Sequence, residues 1–325
     1  MLKIVFAGTP IFTLPVLDLL AKEFSLVGIL TAPPRRQGRK MKVYFSDVFV
    51  YSDLLKKNNV VPLDLPVFTA EKIDDELVSS LAKLKPDLLV CFAYGRIFPK
   101  KLMDVFTFGG INLHPSLLPK WRGPSPIPFA ILSGEKETGV SIQTIKEKLD
   151  SGNILIQERF EICPGETTET VLSAKVAPLS ARLLSKVLLR FDEYAKNAKA
   201  QQEEEATYSR LLTKEDGYID WKKRAIEIER QILAFTPWPR TYTFCDGKKL
   251  NIVDAVAIKD TCDNFCEQKE AECGSVIASK NDLGILVRTG DGLLCVRELQ
   301  WQTKKVLKWK DFLNGTPGFV GSLLS

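Results

Sequence analysis

The sequence predicts an α/β domain with a mainly parallel sheet, followed by a small OB-like β-barrel. Three observations carry that prediction. The first half alternates short apolar runs with apolar residues at helical spacing, the order that lays parallel strands beneath covering helices. A polar tract near residue 200 then breaks the alternation. Beyond it, short apolar runs follow one another between Gly, Asp and Asn turns, as they do in small barrels and sandwiches.

From the N-terminus, KIVFA (3–7) is a buried-strand run stopped by Gly8, Thr9 and Pro10. The segment FTLPVLDLLAKE after it has apolar residues at helical spacing. LVGILT (26–31), DLLVCFA (87–93) and GGINLH (109–114) read as further strands of a Rossmann-like sheet, and PIPFAILSG (126–134) as a helix. A helical pattern runs from about Thr168 to Ala195. KNAKAQQEEEATYSR (196–210) has no apolar periodicity and reads as an inter-domain linker. IDWKKRAIEIERQILAF (219–235) predicts a helix with Asp220 at its N-cap. The strands TYTF, KLNIVDAVAI, GSVIAS, GILVRTG and GLLCVREL then succeed it. These breaks predict a first domain over 1–193, a linker over 194–209 and a C-terminal β-barrel domain over 210–325.

With 45% hydrophobic and 26% charged residues over 325 positions, the composition is that of a globular protein. No apolar run reaches the roughly eighteen residues of a membrane span. The N-terminus lacks the basic segment and long apolar stretch of an export signal, so a cytoplasmic protein is expected. Seven scattered cysteines do not form a secreted disulfide framework. Cys262, Cys266 and Cys273 could hold a metal. The absence of C-x-x-C pairs and of a nearby histidine favours an ordinary acidic loop.

Net charge is +5, concentrated in RRQGRKMK (35–42), PKK (99–101), KWR (120–122), KKR (222–224) and KKVLKWK (304–310). Such clusters near aromatics suit a phosphate backbone, although any single one is also an ordinary solvated face. FAGTP carries one glycine where a dinucleotide turn needs G-x-G-x-x-G, and no Walker A segment is present.

The chain has a single histidine, His114. Asn112 and His114 are two apart in an extended segment, so both project from one face. Both can donate to an oxygen on which negative charge develops. Pro115 favours extended backbone at His114, and Asp150, in KLDSGN, could orient or charge the imidazole. Blander readings stand beside these. A strand-end histidine can be purely structural, Asn112 can satisfy backbone groups, and DSGN is a good turn with no function required.

The surrounding residues separate these readings. NLHPSLLPKWRGPSPI followed by ETGVSIQTIKEKLDSGNIL resembles the signature of the 10-formyltetrahydrofolate-dependent formyltransferases. The resemblance implies that Asn112, His114 and Asp150 are catalytic. It implies that Ser116, Leu117, Leu118 and Pro119, with Tyr94, Gly95 and Ile97 of AYGRIFP, hold the folate through backbone contacts.

Within that family, the match is closest to members that formylate methionyl-initiator-tRNA. It runs through KIVFAGTPIF, TAPPRRQGRKMK, EEEATYSRLLTKEDGYIDW and AFTPWPRTYT. A basic loop carrying Arg36, Arg39, Lys40 and Lys42 is thereby implied to enter the tRNA acceptor stem. The loop has Pro34, Arg35 and Arg36 where the family shows D-R-P, and LDSGN stands in place of L-D-T-G-D, with Asn153 replacing a carboxylate.

The implied co-substrate is 10-formyltetrahydrofolate, with no metal, and the expected state is a monomer away from membranes. A formyltransferase for a small amine, glycinamide ribonucleotide or a nucleotide-linked amino sugar, is the alternative.

Overall fold

The computed structural model describes residues 1–37, 41–258, 271–280 and 283–325. The described chain divides into two compact units. One comprises Met1–Pro126, Glu137–Glu161 and Val171–Arg210, the other Ile127–Lys136, Ile162–Thr170 and Leu211–Ser325.

The first unit is built on a seven-stranded sheet. In chain order its strands are β1 (Lys3–Gly8), β2 (Ser25–Leu30), β5 (Val67–Phe68), β6 (Leu88–Phe92), β7 (Gly110–His114), β8 (Glu137–Thr144) and β9 (Ile154–Glu161). A separate two-stranded ribbon, β3 (Arg35–Gln37) and β4 (Lys42–Tyr44), stands apart from it. The sheet order is β5-β2-β1-β6-β7-β8-β9, parallel through β7 and antiparallel across β8 and β9. Central strands covered on both faces need continuous apolar runs. Ile4, Val5, Phe6 and Ala7 of β1 are accordingly all fully buried.

Helices Leu14–Glu23, Asp47–Lys57 and Asp75–Ala82 come after successive strands. Ser46 and Asp74 cap two of them, accepting from the N–H groups of Phe49 and Leu77 at 3.1 and 3.0 Å. The helix expected from Thr168 to Ala195 is broken into Thr168–Val171, a wider π turn over Leu172–Val176, Ala177–Leu189 and Phe191–Lys196. Pro178 enters at the start of the third piece, where its missing N–H interrupts the regular ladder.

At the end of the parallel run, β8 lies antiparallel to β7. Its register sets Gln143 beside Asn112 and Ser141 beside His114, so polar side chains of one strand meet those of the other.

The polar tract that reads as an inter-domain linker is bonded into the first unit. Lys199 pairs with Ile154 through both main-chain groups, at 2.7 and 2.9 Å. Arg122 N–H donates to Thr207 O at 2.9 Å, and Ser209 N–H returns to Arg122 O at 2.7 Å. The tract lacks apolar periodicity because it is held by polar contacts, which leave no periodic signature.

In the second unit, β10 (Thr241–Cys245), β11 (Lys248–Ile258), β12 (Val276–Lys280), β13 (Gly284–Arg288) and β14 (Leu293–Trp301) form an antiparallel sheet ordered β10-β11-β14-β13-β12. β15 (Leu307–Lys308) pairs with β14. The C-terminal residues join the two edges of this sheet. Ser325 exchanges two main-chain bonds with Phe244 of β10, and Leu324 N–H donates to Gly274 O ahead of β12. The edges are thereby covered, as an isolated barrel requires. Trp221, Ile228, Ile232, Leu250, Val287, Leu294 and Phe312 pack in its interior.

The helix expected over 219–235 begins later, at Ala225. Asp220 is not its N-cap: its Oδ1 accepts from Lys222 N–H in a local turn, and Glu227 reaches back to Arg224 N–H. Among the described residues no helix is long and apolar enough to cross a membrane. Of the three clustered cysteines, Cys262 and Cys266 lie outside the described residues.

Candidate active site

The site forms where β7 ends. Parallel α/β sheets bind ligands beyond the carboxyl ends of their strands, and His114 is the last residue of β7. A hollow of about 780 Å³ lined by Met1, Leu2, Phe108 and Phe191 lies at the opposite end, ahead of β1 and β7, and is separate from this chemistry.

His114 is 4% exposed. Its Nε2 lies 2.8 Å from Trp121 O. A carbonyl only accepts, so Nε2 carries a hydrogen and donates. The remaining nitrogen, Nδ1, faces Asp150 Oδ2 at 3.7 Å. That is beyond hydrogen-bond length but within ion-pair range for a protonated ring. Direct orientation of His114 by Asp150, expected from the sequence, is thus supplied by the Trp121 carbonyl instead. Asp150 provides a negative charge next to the nitrogen that is left for chemistry.

Asp150 is held on all sides. Oδ1 accepts from Asn112 Nδ2 at 3.2 Å and from Gln143 Nε2 at 2.9 Å. Oδ2 accepts from Gly123 N–H at 2.8 Å. Gly123 has φ of +108°, and a Cβ there would sit 2.2 Å from Ser209 O, so only glycine lets this N–H approach the carboxylate. Asn112, His114 and Asp150 therefore meet as the sequence suggested. One N–H of Asn112 is committed to Asp150, which leaves its second N–H for any other acceptor.

Behind the trio lies a polar relay. Gln143, 1% exposed, accepts Gly152 N–H at 3.1 Å and Gln201 Nε2 at 3.1 Å on the same oxygen. Gln201 Oε1 in turn accepts from Arg122 Nε at 3.0 Å. Arg122, read in the sequence as part of a solvent-facing basic cluster, is 1% exposed and pairs with Glu203 at 2.8 Å. Burying a guanidinium requires such a partner.

Lys148 also contacts Glu203, and together Lys148 and Arg122 hold its carboxyl down to about 2. The carboxyl's folded value lies below its unfolded value, so its stabilising effect is complete above the unfolded value and is lost as pH falls toward 2. Glu203→Gln is therefore expected to lower Tm at pH 7. Thermal unfolding across pH should show the gap to wild type closing between about 4.5 and 2.

In the segment expected to hold folate, Ser116 and Leu118 are buried, and their backbone groups are occupied within the unit. Ser116 O accepts from Ser141 Oγ at 2.5 Å, Leu118 N–H donates to Ser141 Oγ at 3.1 Å, and Leu118 O accepts from Gln157 Nε2 at 2.7 Å. Leu117 O and Pro119 O accept from the N–H groups of Lys120 and Thr207. These four residues form a braced wall rather than a row of unengaged backbone groups.

Tyr94 is 4% exposed and stacks on Phe98 within the apolar core, where burial pushes its hydroxyl up. Its ring is thus a part of the core. Gly95 and Ile97 are exposed, Ile97 at 76%. Cys91, paired in register with Asn112, has its thiol pushed up to about 12, chiefly by burial, so no thiolate nucleophile exists there at neutral pH.

Arg36 and Lys42 are exposed on the β3–β4 ribbon, which also exposes Val43 and Tyr44. Arg39 and Lys40 lie outside the described residues. Sequence reasoning missed Trp121, Gly123, Gln143 and Gln201. Only Gln143 left a trace, as a polar residue within the buried run GVSIQT.

Comparison with known proteins adds to this geometry. Residues 2–188 match the formyl transferase family, and residues 211–317 match the formyl transferase C-terminal domain. Methionyl-tRNA formyltransferase of Treponema denticola is 47% identical over 319 residues, covering 98% of each chain. The protein of that name from Caldanaerobacter subterraneus is 36% identical, covering 97% of each.

Among solved structures, HypX from Aquifex aeolicus in complex with tetrahydrofolic acid has a TM-score of 0.62 at 16% identity, covering 98% of this chain and 48% of HypX. The sugar 3N-formyl transferase WlaRD has a TM-score of 0.61 at 18% identity, covering 94% of this chain and 99% of its own. These two likenesses are of fold.

Proposed function

The chain belongs to the formyl transferase family, and on that premise we propose that it transfers the formyl group of 10-formyltetrahydrofolate to the α-amino nitrogen of methionyl-initiator-tRNA. One observation carries the reading. The 47% identity to a methionyl-tRNA formyltransferase extends over both units, whereas the sugar N-formyltransferase resembles the chain in fold only.

In the proposed reaction the neutral amine attacks the formyl carbon, a C–N bond forms, and the carbonyl oxygen becomes an oxyanion. The bond from that carbon to N10 then breaks. The amine loses a proton and N10 gains one, giving formyl-methionyl-tRNA and tetrahydrofolate. An α-amino group has a pKa of about 8, so a modest proton acceptor suffices.

As an imidazolium, His114 would donate from Nδ1, and Asn112 from its second N–H, to the oxyanion. The Asp150 carboxylate would balance that positive charge. The wall at Ser116–Pro119 and the exposed residues Gly95 and Ile97 flank the proposed folate position.

On the tRNA side, Arg36 and Lys42 of the ribbon would supply phosphate and acceptor-stem contacts, and Arg39 and Lys40 would add to them. The C-terminal barrel domain over 210–325 would add further tRNA surface, joined through 194–209 to the catalytic domain over 1–193. The protein would act as a cytoplasmic monomer.

The deciding experiment supplies purified protein and 10-formyltetrahydrofolate with charged initiator tRNA, elongator methionyl-tRNA or a nucleotide-linked amino sugar. Selective formylation of initiator tRNA is expected. In the same assay Arg39→Ala should raise KM for the tRNA on the order of ten-fold and leave KM for folate unchanged. Formylation of the sugar alone would overturn the reading.

A further inference from the structure

We infer that Gln201, in the tract that reads as a linker, is a positioning residue whose carboxamide fixes the turn presenting Asp150 to His114. The inference rests on the formyl-transfer reading for its kinetic consequence and on geometry alone for the contact itself.

Asp150 has φ of +51°, in the left-handed region that few residues other than glycine occupy. Such a conformation persists only where its surroundings over-determine it. Several contacts do this, the Thr144 N–H to Asn153 O bond and the Gly152 N–H to Gln143 Oε1 bond among them, and two more act on the turn directly. Gly152 packs so tightly that a Cβ would lie 1.6 Å from Thr144 O, which pins the turn to the end of β8. Gln201 Nε2 then donates to Asp150 O at 2.9 Å and Gly152 O at 2.7 Å, clasping the carbonyls on either side of Ser151.

The polarity of the clasp is set from outside. Arg122 Nε has only hydrogen to offer, so the Gln201 oxygen must face it and the Gln201 nitrogen must face the turn. That nitrogen also meets Gln143 Oε1 and, together with Gly152 N–H on the same oxygen, orients Gln143 so that its own Nε2 donates to Asp150 Oδ1. A buried guanidinium thus directs two amides in series, and both end on Asp150, one at its backbone and one at its carboxylate. Reversing either amide would set donors against donors along the chain.

Two full-length variants test the inference. Gln201→Glu keeps the volume and the Arg122 partner but turns oxygen toward three acceptors, and Gln201→Ala removes the group. Each is expected to lower kcat on the order of 10- to 100-fold, with KM for folate and tRNA within about two-fold, because the loss lies in alignment rather than binding. The lone histidine gives a readout independent of turnover. The imidazole proton resonance of His114 should move in both variants while thermal unfolding stays cooperative.

Unchanged kcat together with an unchanged His114 resonance in Gln201→Glu would overturn the inference. So would failure of both variants to fold, since Gln201 would then be a support of the fold. A wild-type protein with no formyl transfer at all would instead remove the reading on which the kinetic arm rests, and the resonance would still report on the clasp.

Discussion

Replacing His114 with alanine is expected to lower kcat for formyl transfer by on the order of 10²- to 10⁴-fold, the range for loss of a group that donates to a reacting oxygen or moves a proton. KM for either substrate should change little, because the imidazole has few atoms to offer in binding and its ring is buried against its own chain. Stability should fall as well. The Trp121 carbonyl loses its donor in a nearly closed environment, a cost of about 1–3 kcal/mol.

The two effects are separable by measuring single-turnover rates and thermal unfolding on one preparation. A variant within ten-fold of wild type in kcat would show that His114 serves only to tie β7 to the segment at Trp121. Glutamine offers a finer comparison. Its amide can take over the hydrogen bond to Trp121 O, but it cannot become a cation next to Asp150. It should recover stability without recovering rate.

Much of this arrangement was legible in the sequence, and what was missed shares a physical cause. The parallel strands β1, β2, β6 and β7 announce themselves because burial on both faces demands continuous apolar runs. Asn112 and His114 were placed on one face by the two-residue period of a strand alone. β8 and β9 were not foreseen. Gln143 and Ser141 put polar side chains into a buried strand, and beyond Leu155 β9 alternates half-buried and exposed positions at the sheet edge.

The order within the tract at 196–210 left no trace for a related reason. Its order comes from hydrogen bonds to Arg122, Gly152 and Ile154, which are distant in sequence, and such bonds impose no hydrophobic period. Arg122 shows the same limit from the other side. A basic residue flanked by Lys120 and Trp121 reads as surface, and only the fold reveals the Glu203 carboxylate that makes its burial tolerable. The ordering of the catalytic turn thus depends on contacts between residues far apart in the chain, as between Gln201 and Asp150 or Gly152.

Asp150→Asn separates charge from hydrogen bonding at the centre of that network. The substitution conserves shape, but one carboxylate oxygen becomes an NH2 group. With the nitrogen at the Oδ2 position, the Asn112 and Gln143 donors keep their acceptor and Gly123 N–H loses its own. The opposite orientation orphans two donors, so the first is favoured, and the expected loss of stability is that of one unsatisfied buried N–H, about 1–3 kcal/mol.

Asp150→Ala orphans all three donors and should unfold at a markedly lower temperature than Asp150→Asn. In kcat the two variants should be nearly equal, both reduced by on the order of 10²-fold or more, because each removes the negative charge 3.7 Å from His114 Nδ1. If Asp150→Asn instead turned over near the wild-type rate while Asp150→Ala did not, the carboxylate would matter only as an acceptor for Asn112, Gln143 and Gly123. The charge would then have no part in stabilising the imidazolium. Equal kinetic loss with unequal loss of Tm is the pattern that a charge beside Nδ1 requires.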